Sequence, residues 1–227
     1  MDDLTLEELD RDGALRETAA AAHEARRSMD PTRAQFLKRA GALGAAGIVI
    51  GGISLGSARA QGGGLPKGDV DILNYALTLE FLEAAFYKEA LSKGELSGES
   101  LAFAQVVAAH EQAHVEALQA ALGSAATKAP TFDFKGTTNS EGTFQRTAQT
   151  LEDTGVSAYQ GQAPEIKTPE VLASAGAILA VEARHAAWVR DIIGAGQSPT
   201  PAPAAFNKAM TMKEVLDAVG QTGFIQS

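Results

Sequence analysis

The feature that most constrains this chain is a constellation that occurs twice. Glu80 is followed seven residues later by Tyr87, and 31 residues beyond Glu80 stands Glu111-x-x-His114. Glu152 is followed seven residues later by Tyr159, and 30 residues beyond Glu152 stands Glu182-x-x-His185. Seven residues advance a helix by nearly two turns, so each tyrosine falls on its glutamate's face, one layer away. A spacing of three puts each Glu111/His114 and Glu182/His185 pair on one helical face, where a carboxylate and an imidazole converge on a common point.

The segment His110-Glu111-Gln112-Ala113-His114 also spells H-E-x-x-H, the zinc peptidase word in which two imidazoles at i and i+4 hold the ion. The repeat argues against that reading, because Val181 stands where the second copy would need the equivalent of His110. A peptidase would also need a third ligand, and Glu141, 27 residues beyond His114, sits in a glycine-containing stretch read as loop. E-x-x-H is the unit that is kept, and His110 is expected to be dispensable for metal.

Hydrophobic periodicity places these motifs on four helices. Ile72, Tyr75, Ala76, Leu79, Leu82, Ala85 and Phe86 give a helix over 69–93 that stops at Gly94, and a second runs from Gly98 to Leu122 before Gly123. Residues 124–142, with Pro130, Gly136 and Gly142, have no clear period and are long enough to cross a bundle. A third helix is expected over 143–160, ending at Gly161, and a fourth from Pro169, with Thr168 as its cap, to Ile193. The fold class is therefore all-α, an antiparallel four-helix bundle with a long crossover between the second and third helices and a short C-terminal helix.

The flanks read differently. Residues 1–60 combine an acidic leader with a signal-like segment: Lys38 and Arg39 precede an uncharged run that ends in Ser57-Ala58-Arg59-Ala60, which predicts export with cleavage after Ala60. Thr32 to Lys38 is similar to a twin-arginine signal, with Ala34 in place of the second arginine. Membrane contact, were the leader retained, would run only through residues 40–57. Residues 61–198 form the expected bundle domain, and 199–227 a proline-rich spacer followed by a docking helix around Met212–Val219.

Composition closes several doors. With 28 acidic against 19 basic residues and a net charge of −9, no basic stripe suits nucleic acid, which is not expected as a partner. The absence of cysteine excludes thiol catalysis, disulfides and thiolate metal sites. Four glutamates turned into an apolar bundle are costly unless compensated, and two divalent cations neutralise four carboxylates. A donor set of carboxylates and imidazoles suits iron or manganese.

The stretches LTLEFLEAAFY, LEDTGVSAYQG and VEARHAAW, with the mid-helix E-x-x-H, resemble the ferritin-like superfamily, and more narrowly its exported ferritin-like domain proteins, over 69–193. The resemblance implies two iron or manganese ions, held by Glu80, Glu111 and His114 from one half and Glu152, Glu182 and His185 from the other, with Glu111 and Glu182 bridging. It implies redox chemistry on dioxygen or peroxide, of ferroxidase, peroxidase or catalase type. A structural or stress-protective role without turnover is the alternative. The fold carries an expectation of a homodimer. Tyr87 and Tyr159 are expected either to hydrogen-bond ligand carboxylates or to pack as core aromatics. Glu83, one turn beyond Glu80, competes with it as ligand or serves as a base. Trp188 is expected in the core, and Asp153, Glu116, Arg184 and Arg190 on solvated faces.

Overall fold

The computed structural model describes residues 49–50, 53–54, 64–194 and 201–226. The expected leader and its cleavage site lie outside the described residues, apart from an antiparallel pair, β1 (Val49–Ile50) and β2 (Ile53–Ser54), in register Val49 to Ser54 and Ile50 to Ile53. Among the described residues no helix is long and apolar enough to cross a membrane.

Four long helices follow: α1 (Lys67–Lys93), α2 (Gly98–Leu122), α3 (Glu141–Gln162) and α4 (Pro169–Gly194). Gly94 takes φ +73° and ends α1 in the left-handed conformation that glycine adopts without steric cost, so that the chain turns directly into α2. Packing is most extensive between α1 and α2 and between α3 and α4, giving two helical hairpins that meet through α1–α3 and α2–α4. Glu141, in the first turn of α3, accepts hydrogen bonds from the backbone N–H (3.2 Å) and hydroxyl (3.0 Å) of Ser97, satisfying the start of α2 from the other hairpin. Asp69 ties the halves at the opposite end, accepting from the backbone N–H groups of Lys167 (2.9 Å) and Thr168 (2.8 Å).

The apolar core divides into two clusters. One is built on Phe86, Phe103, Phe144, Val189, Val215 and Val219. The other is built on Ile72, Leu77, Leu118, Val171 and Ile178. At roughly 1.5–3 kcal/mol for each large apolar side chain removed from water, these clusters supply the main driving force for assembly. Along α2 and α4 the buried glutamates and histidines fall between the positions contributed to the two clusters, so on these helices the polar layer is sandwiched between apolar ones.

Two expectations are corrected by tertiary contacts. The third helix does not end at Gly161 but continues to Gln162, and it begins at Glu141 with Ser140 as its cap. Gly161 is needed for a different reason: a Cβ there would lie 1.8 Å from the Met210 carbonyl oxygen, because the C-terminal tail crosses α3 at this point. The crossover, expected to run to residue 142, ends at Ser140 and carries a short strand. Its strand β3 (Thr131–Phe132) pairs antiparallel with β4 (Ile225–Gln226), after α5 (Met212–Thr222) has buried Val215 and Val219 against the bundle. Thr211 and Glu214 form a capping box that starts α5.

Candidate metal centre

Glu80, Glu111, Glu152 and Glu182 are fully buried, and His114 and His185 nearly so. Their donor atoms form two overlapping groups: Glu80, Glu111, His114 and Glu182 in one, and Glu111, Glu152, Glu182 and His185 in the other, each with its atoms within 4.8 Å of one another. Ligands lying 2.0–2.4 Å from one ion are separated by no more than about 4–5 Å, so each group has the size of a single coordination sphere. Glu111 and Glu182 belong to both. The structure thus brings together all six of the glutamates and histidines singled out by the repeat.

Contacts within the layer are close, but only those of His114 with Glu80 and Glu111 are formed as hydrogen bonds. His114 Nδ1 lies 3.2 Å from Glu80, 3.1 Å from Glu111 and 3.2 Å from Glu182. His185 Nδ1 lies 3.0 Å from Glu111 and 3.2 Å from Glu152. Yet both oxygens of Glu182, one oxygen each of Glu111 and Glu152, and His185 Nδ1 are buried without a hydrogen-bond partner. Buried polar atoms are nearly always satisfied, and lone pairs that converge on shared points rather than on donors fit cations there. The residues present therefore fit metal ions.

Protonation follows the crowding of charge. Burial, then the neighbouring Glu111, moves Glu80 up to about 7 against the pull of His114. Burial followed by like charge also raises Glu182 well above the carboxylate range, and Glu152 is raised mainly by burial. Glu111 is the exception: burial is outweighed by the hydrogen bond with His114 and by the His185 imidazole 3.0 Å away, which hold it down to about 2. In turn the carboxylates overcome burial and raise His185 to about 10 and His114 further still. The surrounding carboxylates thus favour the protonated form of both imidazoles, and a metal bound there would have to displace those protons.

Both tyrosines reach the layer, by a route the sequence reading did not foresee. Tyr87 donates to Glu152 and Tyr159 donates to Glu80, each across the bundle to the other half's glutamate. Seven residues span about 10.5 Å of helix rise, too far for a tyrosine to bend back to its own glutamate. The antiparallel course of α1 and α3 places 80 beside 159 and 87 beside 152, so the repeat encodes a reciprocal exchange.

Three further residues shape the site. Glu83 is buried beside the layer but belongs to neither group, and burial followed by repulsion from Glu182, Glu152 and Glu111 moves it well above the carboxylate range. Its equivalent in the other half is Gly155, since each lies three residues after the first glutamate of its repeat. A Cβ on Gly155 would come 3.0 Å from Glu182 Oε2 and 3.3 Å from Glu83 Oε1, so this glycine makes the room the extra carboxylate needs. The register that revealed the repeat already contained this complementarity. His110, exposed and in neither group, brings Nδ1 to 2.9 Å from His185 Nε2 and stacks on its ring. It thereby braces a candidate ligand instead of joining His114 on a zinc ion.

The remaining residues sit away from the layer. Trp188 packs edge-on against Phe103 and donates to Glu99 at 3.1 Å. Arg190 pairs with Asp153 at 2.6 Å. Among curated proteins no match is found. Residues 68–195, more than half of the chain and containing every residue of the buried layer, match the family model for the ferritin-like domain, and the chain belongs to that family.

Proposed function

We propose that the buried layer binds two ions of iron or manganese and serves redox chemistry on dioxygen or peroxide. The observation that carries this reading is the overlap of two ligand groups on Glu111 and Glu182, which gives each ion three or four protein donors and leaves coordination positions for an oxidant. With ions bound, the pair supplies two electrons, enough with two protons to convert dioxygen to hydrogen peroxide, or hydrogen peroxide to two waters. The chain's own residues orient and insulate. Tyr87 and Tyr159 fix Glu152 and Glu80 by donating to one oxygen of each, leaving the other for metal. His110 orients His185 from outside, Glu83 holds a proton close to Glu182, and the two apolar clusters exclude bulk water.

The test is metal content per chain of the segment 61–227 after exposure to iron, manganese and zinc in competition. About two irons or manganeses are expected, and Glu111→Ala, which removes a donor shared by both groups, is expected to lose both ions. His110→Ala is expected to keep both at saturating metal. A single zinc ion that depends on His110 would instead support peptidase chemistry. Two bound ions with no turnover of dioxygen or peroxide would leave the structural, stress-protective role as the reading that stands.

A further inference from the structure

Beside the ligand layer, at the end of the bundle formed by the start of α1 and the start of α4, lies a cavity with about 20 Å³ free for the centres of water-sized molecules. Its wall is carbon over most of its extent, with Leu73, Ala76, Leu118, Ala175 and Ile178 among its residues. It touches the ligand layer through Leu79 and Tyr159, and the Tyr159 hydroxyl is committed to Glu80. Ser174, also on the wall, donates to the Glu170 carbonyl at 2.8 Å. The buried Tyr75 hydroxyl has no hydrogen-bond partner, which leaves it, with Gln162, as the remaining polar contact.

We propose that this cavity is the dioxygen-binding and access site of the centre, delivering a small apolar oxidant to the Glu80 side past Tyr159. The inference rests on the dinuclear reading given above and adds the oxidant to it. A water molecule seeks two to four polar partners and finds at most the Tyr75 hydroxyl and Gln162 on this wall, whereas cavities lined by carbon stay dry and take up apolar guests. Hydrogen peroxide carries two O–H donors and would give up most of its hydration on entering. A smaller cavity beside Glu83, Thr154 and Gly155, about 10 Å³ in volume and lined also by Leu79, Leu82, Leu151 and Val219, has room for no more than a single water.

The experiment has two arms on the full chain. Crystals pressurised with xenon are expected to show the atom in this cavity in the native protein and to lose it in Ala175→Leu. In iron(II)-loaded protein, Ala175→Leu and the milder Ala76→Val are expected to slow oxidation by dioxygen, the former about tenfold, an increment of about 1.36 kcal/mol in barrier. Oxidation by peroxide and iron content are expected to stay unchanged. Ordered water in place of xenon, or an unaltered dioxygen rate in both variants, overturns the proposal while two bound irons leave the dinuclear centre intact. Xenon bound in a chain that takes up no iron refutes the centre itself and, with it, this use of the cavity.

Discussion

Gly155→Ala tests the packing of the ligand layer directly. Ordinary van der Waals contact for a Cβ begins at 3.4 Å, and the new methyl would stand 3.0 Å from Glu182 Oε2 and 3.3 Å from Glu83 Oε1. Glu182 must therefore retreat by roughly 0.4 Å, about twice the 0.2 Å tolerance of a well-formed metal–ligand distance. The metal-free protein has a compensation that the loaded protein lacks. Alanine gains roughly 1 kcal/mol over glycine in a helix interior, which offsets much of the roughly 1–3 kcal/mol that overpacking costs. The expected outcome is a metal-free melting temperature close to that of the native chain, with metal affinity down about 10- to 100-fold, the scale seen when ligand orientation is disturbed. Calorimetric metal titration and thermal unfolding of the same sample separate the two effects. Native affinity in Gly155→Ala would refute the assignment of Glu182 as a shared ligand, because no ligand within reach of both groups tolerates such a displacement.

Metal-free stability should fall as pH rises. Glu80, raised from 4.5 to about 7, and His185, raised from 6.5 to about 10, each bind protons more tightly folded than unfolded, so their contribution is complete below the unfolded values and is lost between about 4.5 and 10. Glu111, lowered to about 2, acts oppositely and loses its contribution only as pH falls from 4.5 toward 2. Scanning calorimetry should therefore show the melting temperature declining from pH 5 to 9 without metal and flattening with metal bound; a rise over that range would contradict the assigned protonation. Asp69→Ala removes the acceptor for the Lys167 and Thr168 N–H groups, and chemical denaturation should show a loss of about 1–3 kcal/mol, with the slope against denaturant unchanged.

Much of the site was written in the sequence because its constraint is local. A glutamate and a histidine three residues apart share a helix face wherever the helix goes, and a repeat of that unit with matched upstream glutamates has few other uses. The four helices were legible for the same reason: Gly94 and Pro169 punctuate segments whose apolar residues recur at helical spacing. Even the pairing of Glu83 with Gly155 was available, since both fall three residues after the first glutamate of a repeat.

What the sequence could not decide was which surfaces meet. Tyr87 and Tyr159 follow Glu80 and Glu152 along the chain, yet only the antiparallel packing of α1 on α3 gives each tyrosine the other half's carboxylate. His110 reads as half of a zinc word until α4 brings His185 to its ring. Gly161 reads as a helix stop, although its missing side chain makes way for the backbone at Met210, 49 residues further on, and the strand at Thr131–Phe132 exists only because Ile225–Gln226 returns to pair with it. Periodicity reports the angle a residue takes around its own helix axis; the partner at that angle is set by side-chain packing between elements far apart in the chain, and only the tertiary structure decides it.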